Sequence, residues 1–318
     1  MDKKMFCFQC EQTVGCTGCT GNAGVCGKKA DTAKLQDELT GALISLAKAA
    51  DSTETISKRT GQIIIEGLFT TVTNVSFDNA AIENMIQKVR AEKERLVPDC
   101  RTEEYDLQQL WNANEDIRSL KSLILFGIRG MAAYAYHANV LNYEDAEVNQ
   151  FFCEALSKIG YEESTEALLS TVLKTGEINL KCMALLDKAN TETYGTPEPT
   201  DVTLTVEKGP FIVVTGHDLK DLQLLLEQTE GKGINIYTHG EMLPAHAYPF
   251  LKKYSHLKGN FGTAWQNQQK EFDHLPAPIL YTTNCLMPPK SSYADRVFTT
   301  EVVTFPGAVH IDEKKEIG

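Results

Sequence analysis

The cysteines near the N-terminus constrain this chain more than any other feature. Five of its nine cysteines fall within twenty residues: Cys7, Cys10, Cys16, Cys19 and Cys26. The surrounding segment, residues 1–30, is rich in glycine and threonine and has almost no apolar periodicity. It cannot build a hydrophobic core, so something else must order it, and a bound metal supplies folding free energy in such segments. We therefore predict a metal-binding cysteine loop over residues 1–30.

The spacing of the cysteines restricts the metal without fixing it. Cys7 and Cys10 form a C-x2-C pair, Cys26 closes the loop, and either Cys16 or Cys19 is the third ligand. Four thiolates on a flexible loop suit a tetrahedral zinc ion or an iron–sulfur cluster. The interspersed glycines let the backbone turn tightly and direct amides at sulfur, which tunes the reduction potential of a cluster. A structural zinc knuckle is the alternative, although zinc sites usually pair two C-x2-C units.

The rest of the composition indicates a soluble cytoplasmic protein. The cysteine count is odd, and no apolar h-region follows the start MDKKMFCFQC, so neither a disulfide framework nor secretion is expected. No apolar run reaches the roughly 18 residues that a membrane span requires. The net charge of −12 disfavours binding to nucleic acid or anionic membranes. Cys100, Cys153 and Cys182 have no cysteine partners nearby in sequence, and Cys153 is expected in the core.

Residues 31–189 have the periodicity of helices. Apolar residues recur on one helical face between Leu35 and Leu46. Asp78 is the expected N-cap of a helix whose apolar face runs from Ile82 to Val89. A longer helix contains Ile117–Met131. Further helices are predicted at Val148–Leu156, Thr165–Leu173 and Ile178–Lys188. This segment therefore predicts an all-α bundle domain.

The pattern changes after a polar segment with two prolines, residues 190–201, which we interpret as a linker. Three short β-branched runs follow: Phe211–Thr215, Ile234–Tyr237 and Ile279–Thr283. Helical stretches such as Asp218–Glu230 separate them. Strands that alternate with helices predict a parallel, Rossmann-like α/β domain over residues 202–318. Three or four strands are expected, so this domain is interpreted as partial.

Each of these three runs is followed by a residue that can bind metal. His217, Glu241 and Cys285 come shortly after the first, second and third run. Ligand sites in open α/β sheets form at the carboxyl edge of the strands, so the three side chains are expected to converge on one centre. Singly, His217 has an alternative role in starting a helix, Glu241 in capping the helix predicted over residues 242–252, and Cys285 as a buried apolar residue. The flanking His239 and His246 are expected to support the site or the fold.

Several segments together resemble one known family. They are MFCFQCEQT, GCT and VCGK within residues 5–29, TGHDLKD at 215–221, THGEMLPAHAYP at 238–249, NFGTAWQNQ at 260–268 and TTNCLMPP at 282–289. The sequence resembles the N-terminal and middle domains of the hybrid-cluster protein family, also called hydroxylamine reductase or prismane protein. The resemblance runs over most of the chain.

The resemblance implies two iron–sulfur cofactors. Members of the family bind a [4Fe–4S] cubane through four N-terminal cysteines, or [2Fe–2S] where the spacing is wider. By resemblance the ligands here are Cys7, Cys10, Cys19 and Cys26, because Cys19 lies in the GCT element of the family. The second cofactor is a hybrid [4Fe–2O–2S] cluster with one His, two Glu and four Cys ligands.

His217, Glu241 and Cys285 match three of the hybrid-cluster ligands by local motif. No cysteine follows Cys285. The matched ligand set is therefore incomplete, and we expect this chain to lack the C-terminal domain of the family.

The resemblance also implies a reaction. The family reduces hydroxylamine to ammonia, and in some members nitric oxide, with electrons from a donor protein. Because the matched ligand set is incomplete, we expect negligible hydroxylamine reduction by this chain alone. The alternative is a non-catalytic iron–sulfur fragment for electron transfer or redox sensing.

Overall fold

The computed structural model describes residues 5–10, 17–51, 55–98 and 104–311. Cys16 and Cys100 lie outside these ranges. The chain divides into two compact units. The first comprises Met1–Val72 and Asp78–Lys188, and the second comprises Thr73–Phe77 and Ala189–Gly318. The predicted fold class, a helical part followed by a parallel α/β part, is confirmed.

The first unit is helical. Its helices are α1 (Ala30–Ala50), α2 (Lys58–Thr70), α3 (Asn79–Leu96), α4 (Gln108–Trp111), α5 (Glu115–Val140), α6 (Ala146–Gly160) and most of α7 (Thr165–Tyr194), whose last residues, from Ala189 onward, belong to the second unit. Asp78 caps α3 as predicted, since its side chain accepts a hydrogen bond from the backbone N–H of Ala80. The helix α1 packs against α3 and α6 and buries Leu39, Leu43 and Leu46 completely.

Two features of the helical part differ from the sequence prediction. A single helix, α7, replaces the two helices expected between Thr165 and Lys188. It also continues to Tyr194, so residues 190–194 of the predicted linker are helical. Gly176 lies between the two expected helices, but a glycine inside a helix costs only about 1 kcal/mol relative to alanine, so it does not end α7.

The second unit contains one parallel sheet. Its strands are β1 (Phe211–Thr215), β2 (Asn235–His239), β3 (Leu257–Asn260), β4 (Ile279–Tyr281), β5 (Val297–Thr299) and β6 (Val309–His310). Their order is β3-β2-β1-β4-β5-β6, and all neighbouring pairs are parallel. The described residues thus form six strands, where three or four were expected. The three additional strands are only two to four residues long, too short to show an apolar run.

The connections carry helices α8 (Leu219–Thr229), α9 (Pro249–Lys252) and α10 (Gln268–Glu271). The single helix expected over residues 242–252 is instead a 3₁₀ segment, Gly240–Ala247, followed by α9. Pro249 separates them, because the residue before a proline avoids the helical conformation. Asp218 caps α8 by accepting a hydrogen bond from the backbone N–H of Asp221.

One segment of the second unit comes from far earlier in the chain. Thr73–Phe77 pairs with the loops after β4 and β5. The backbone N–H of Leu286 donates to the oxygen of Asn74, and that of Phe77 donates to the oxygen of Thr304, both at 2.9 Å. Phe77 joins the apolar core of this unit. In the described part of the chain, no helix combines the length and apolar character needed to cross a membrane.

Candidate functional site

The described part of the cysteine loop places two of the predicted ligands side by side. The backbone N–H of Cys7 donates to the oxygen of Cys19 at 3.0 Å, and that of Cys19 donates to the oxygen of Cys7 at 2.8 Å. Both residues are buried and pack against Met5 and Ala33. Residues 18 and 27 are glycines with positive φ angles of 94° and 87°, which turn the chain at the two later cysteines.

Two cationic side chains are buried near this loop. Lys28 is only 2% exposed; its Nζ donates to Gln9 Oε1 at 3.1 Å and also to Gln36 Oε1. Gln9 in turn donates from Nε2 to Asp37 Oδ1 at 2.8 Å. Arg129, on α5, is 3% exposed. Its Nη2 donates to Thr40 Oγ1 on α1 at 2.8 Å.

The thiols and the cations influence each other electrostatically. Burial raises the pKa of Cys7, and the charge of Lys28 opposes that rise. Burial lowers the pKa of Lys28, whereas thiolates at Cys7, Cys26 and Cys10 raise it. Burial also lowers the pKa of Arg129 to about 10, opposed by Asp37 and by the thiolates of Cys7 and Cys10. Three of the four predicted ligands, Cys7, Cys10 and Cys26, therefore interact electrostatically with one or both of these cations.

A single bound ion and a cluster place different demands on their ligands. Among the residues that the structure describes, no three Cys, His, Asp or Glu side chains are close enough to hold one metal ion. Four thiolates bound to one zinc ion at about 2.3 Å would lie roughly 3.8 Å apart. In a cubane each cysteine binds a different iron. A cubane therefore allows its four cysteines to lie farther apart than a single zinc ion does.

The second group of predicted ligands follows three neighbouring strands. Thr215 at the end of β1 pairs in register with His239 at the end of β2 and with Tyr281 at the end of β4. The three strands therefore end level with one another, about 4.8 Å apart. His217 and Glu241 come two residues after β1 and β2, and the third predicted ligand comes four residues after β4.

The strand order identifies the edge at which a ligand site is expected. From β1 the chain builds outward through β2 to β3, and from β4 it builds outward in the opposite direction through β5 to β6. The boundary between β1 and β4 is thus the switch point of the sheet, where open α/β proteins bind their ligands. His217 and Cys285 follow the two strands that flank this boundary.

Left-handed backbone turns present the three candidate residues. Gly216 and Gly240 directly precede His217 and Glu241 and have φ angles of 109° and 58°. A Cβ on Gly216 would lie 2.6 Å from Thr282 Oγ1 and 2.9 Å from the backbone nitrogen of Thr283. Only glycine fits there. Cys285 itself has a φ angle of 70°, which is uncommon for a residue with a side chain.

Gln268 holds the Cys285 turn in place. This residue is fully buried. Its Nε2 donates to the oxygen of Cys285 at 2.6 Å, and its Oε1 accepts from the backbone N–H of Met287 at 3.0 Å and from the Tyr281 hydroxyl at 3.1 Å. Asn74 Nδ2 donates to the oxygen of Leu286 at 2.8 Å. Sequence reasoning assigned neither residue a role, although Gln268 closes the motif NFGTAWQNQ.

Electrostatic coupling links two of the strand-end candidates. Burial, followed by the charge of Glu241, raises the pKa of Cys285 to about 12. The carboxylate of Glu241 is exposed, whereas His217 and Cys285 are half-buried, so none of the three is sealed in apolar core. The backbone N–H of His217 donates to Thr283 Oγ1 at 2.9 Å, in the same loop as Cys285. That all three side chains face one cavity stays a prediction.

The two flanking histidines, His239 and His246, are buried at the carboxyl edge of the sheet. His239 is fully buried; Nδ1 hydrogen-bonds Thr215 Oγ1 at 3.2 Å and Nε2 hydrogen-bonds Glu271 Oε2 at 2.9 Å. His246 Nε2 hydrogen-bonds Thr238 Oγ1 at 2.9 Å. Burial lowers the pKa of both rings. These bonds join the end of β1 to the end of β2 and join β2 to α10 and to the 3₁₀ segment.

The two described cysteines of the helical part differ from the predicted ligands because they are core residues. Cys153 and Cys182 are buried, and their thiols approach the backbone oxygens of Ala47 and Met131 at 3.5 and 3.6 Å. Burial raises both pKa values to about 12. Cys153 therefore lies in the core, as expected, and both thiols behave as small apolar side chains.

Comparison with known proteins identifies the family. The profile of the Prismane/CO dehydrogenase family matches residues 5–317. The chain belongs to this family. It is 49% identical to a hydroxylamine reductase of Thermodesulfovibrio yellowstonii, 46% to one of Halothermothrix orenii and 45% to one of Porphyromonas gingivalis. Each alignment covers 98% of this chain and 62% of the relative. The chain therefore spans less than two thirds of the length of these curated relatives.

Likeness to solved structures is weaker. Carbon monoxide dehydrogenase IV of Carboxydothermus hydrogenoformans aligns over 98% of this chain and 51% of its own, with 18% identity and a TM-score of 0.41. That degree of likeness does not bear on function.

Proposed function

We propose that this chain supplies the cysteine-loop cluster and part of the second cluster site of an iron–sulfur oxidoreductase that reduces hydroxylamine to ammonia. The observation that carries the proposal is 49% identity, over 98% of the chain, to a protein named hydroxylamine reductase. In the reaction, hydroxylamine takes up two electrons and two protons, its N–O bond breaks, and ammonia and water form. The chain must therefore bind a redox cofactor, admit a small substrate and receive electrons from a donor protein.

The cysteine loop fits a [4Fe–4S] cluster held by Cys7, Cys10, Cys19 and Cys26. Such a cluster accepts and passes on single electrons. The adjacent pairing of Cys7 with Cys19 supports Cys19 as the third ligand. The guanidinium of Arg129 supports an anionic group in the loop, because its buried Nε and Nη1 have no hydrogen-bond partner in the described residues.

The carboxyl edge of the sheet fits part of a hybrid iron–sulfur–oxygen cluster. His217, Glu241 and Cys285 offer nitrogen, oxygen and sulfur donors at the ends of three level strands. The imidazole and carboxylate are harder than thiolate and suit an iron that also binds oxygen. When bound, this cluster supplies an open iron position that polarises the N–O group. Gln268 fixes the backbone of the Cys285 turn, and the side chain of Glu241 is accessible from solvent.

Metal analysis of the anaerobically purified chain tests the cysteine loop. We expect about four irons with matching acid-labile sulfide on the loop. Replacing Cys7, Cys10, Cys19 or Cys26 with serine is expected to lose or alter this cluster, whereas Cys16→Ser retains it. Zinc without sulfide would refute the cluster. Loss of the cluster in Cys16→Ser, with retention in Cys19→Ser, would show that Cys16 is the third ligand.

Ammonia formation tests the reaction. Hydroxylamine is supplied with a low-potential electron donor, and ammonia is measured for the wild type and for Cys285→Ala, with Cys153→Ala as a matched cysteine control. Because the matched ligand set is incomplete, we expect this chain alone to form little ammonia, and the proposal requires that this ammonia depend on Cys285 and not on Cys153. Bound iron and sulfide with no ammonia, or with ammonia that is unchanged in Cys285→Ala, would favour the alternative, an electron-transfer or redox-sensing fragment. Nitric oxide, the other substrate implied by the resemblance, is compared in the same assay.

We also propose a cytoplasmic location. The seven cysteines that the structure describes are all free of disulfide bonds, as expected in a reducing compartment. Attachment of a fluorescent protein and fractionation of the cells would test it.

A further inference from the structure

Two positive charges are buried near the cysteine loop without a carboxylate bonded to either of them in the described contacts. Lys28 donates to the neutral amides of Gln9 and Gln36. Arg129 donates from Nη2 to the hydroxyl of Thr40. Buried charges are normally paired, because removing an ion from water is costly. With no carboxylate bonded to either cation in the described contacts, this arrangement leaves buried positive charge that a further anion would balance.

The anionic groups that act on these cations are Asp37 and the thiolates of the loop. Asp37 acts on Arg129 more strongly than Cys7 and Cys10 do, and Cys7, Cys26 and Cys10 are the anionic groups that act on Lys28. The nearby carboxyl group, Asp37, accepts a hydrogen bond from Gln9, and burial raises its pKa to about 6. One carboxylate cannot balance two cations.

The guanidinium of Arg129 also has unused donors. Its Nε and Nη1 are buried and hydrogen-bond nothing in the described part of the chain. Buried N–H groups of a charged side chain are rarely left without an acceptor. Thr40 fixes the orientation of the group through the bond that it accepts from Nη2. The N–H groups of Nε and Nη1 are thus oriented and available to an acceptor.

We propose that Arg129 and Lys28 compensate the negative charge of the iron–sulfur cluster in the cysteine loop and raise its reduction potential. The inference rests on the proposed cluster. Reduction adds one electron to the cluster, so a fixed positive charge stabilises the reduced form more than the oxidised form. The effect is strong in a buried site, where the effective dielectric constant is low. Net charge and hydrogen bonds to sulfur are among the factors that set cluster potentials.

The test is a redox titration of the cluster, followed by electron paramagnetic resonance. The full chain is purified anaerobically as the wild type, Arg129→Gln, Arg129→Lys and Lys28→Met. Dithionite supplies the electron, and no bond is formed or broken in the protein. For Arg129→Gln we expect the reduction equilibrium to be at least tenfold less favourable, which is a midpoint potential about 59 mV lower for one electron. Lys28→Met shifts in the same direction, and Arg129→Lys shifts less than Arg129→Gln.

Lys121 provides the matched control. It lies on the same helix as Arg129, is 7% exposed, and donates to the backbone oxygens of Ile159 and Tyr161 at 2.8 Å each. The cysteines are not among the groups that shift its pKa. Lys121→Met therefore removes a buried cation from α5 without removing charge from the loop, and its cluster potential should equal that of the wild type.

The outcomes separate this inference from the proposed cluster. A wild type without iron and sulfide refutes the cluster itself. A fully loaded Arg129→Gln with the wild-type potential overturns the charge role and leaves the cluster standing. If Arg129→Gln cannot hold the cluster, retention by Arg129→Lys supports charge compensation. Loss in both variants would show that Arg129 acts through its shape, and the inference would be wrong.

Discussion

Replacing Gln268 with leucine should release the Cys285 turn. The leucine side chain has a similar size, but it would leave the oxygen of Cys285, the backbone N–H of Met287 and the Tyr281 hydroxyl without their shared partner. A buried polar group without a partner costs roughly 1–3 kcal/mol. The Tyr281 hydroxyl is buried and the other two groups belong to half-buried residues, so together the three losses should lower the free energy of unfolding by about 2–3 kcal/mol.

The neighbouring residue is a suitable control. Gln269 is half-buried and makes one described bond, from Nε2 to the oxygen of Pro288 at 2.7 Å. Gln269→Leu should therefore cost only about 1 kcal/mol. Urea unfolding measures both variants. Alkylation of the metal-free protein at neutral pH, followed by mass spectrometry of the Cys285 peptide, measures the turn directly, because burial raises the pKa of this thiol to about 12 and slows its reaction.

We expect Gln268→Leu to accelerate alkylation of Cys285, since the freed turn exposes the thiol to water and lets its pKa fall. Gln269→Leu should leave the rate unchanged. Equal losses of stability in the two variants, together with equal alkylation rates, would refute the role of Gln268 in holding the turn.

Two further predictions concern the same unit. Gly216→Ala should lower the free energy of unfolding, measured in urea, by about 3 kcal/mol, because the residue has a positive φ and its new Cβ would collide with Thr282. Gly209→Ala is the control and should cost clearly less, because Gly209 has a φ of 138° but no neighbour within 4 Å of an added Cβ. Equal losses in the two variants would contradict this reasoning. Burial, then the charges of Asp218 and Glu301, raises the pKa of Asp221 to about 8. Asp221 therefore ionises less readily in the folded state than in the unfolded state. As the pH rises from about 4 to about 8, the free energy of unfolding of the wild type should fall relative to that of Asp221→Asn. The fall is at most about 1.4 kcal/mol per pH unit. Urea unfolding at pH 5, 6.5, 8 and 9 measures this difference, and a constant difference across the series would disprove it.

Local patterns predicted the elements on which the candidate site depends. The run FIVVT marked β1 at its observed bounds, and Asp78 marked the start of α3. The strand-end argument needed only that β1, β2 and β4 be neighbours, which the sheet order bears out. These features depend on short sequence stretches, in which periodicity and capping leave a clear signal.

The features that the sequence did not predict depend on distant parts of the chain. The strand β3 contains a lysine, a glycine and an asparagine among its four residues, so it has no strand-forming pattern and exists because β2 offers a pairing edge. Gln268 becomes important only once the loop after β4 folds over it. In the sequence Arg129 is an ordinary charged residue of a helix, and its burial and its bond to α1 become evident only in the folded protein.

Thr73–Phe77 comes early in the chain but belongs to the second unit, and this limits how the protein can be divided into fragments. This segment hydrogen-bonds the residue after Cys285 through Asn74, which precedes its partner Leu286 by 212 positions. No single cut of the polypeptide can therefore separate the two units intact. A fragment expressed from residue 189 onward would lack the backbone segment that pairs with the Cys285 loop. During synthesis on the ribosome, more than two hundred further residues must be added before the partners of this segment have been made.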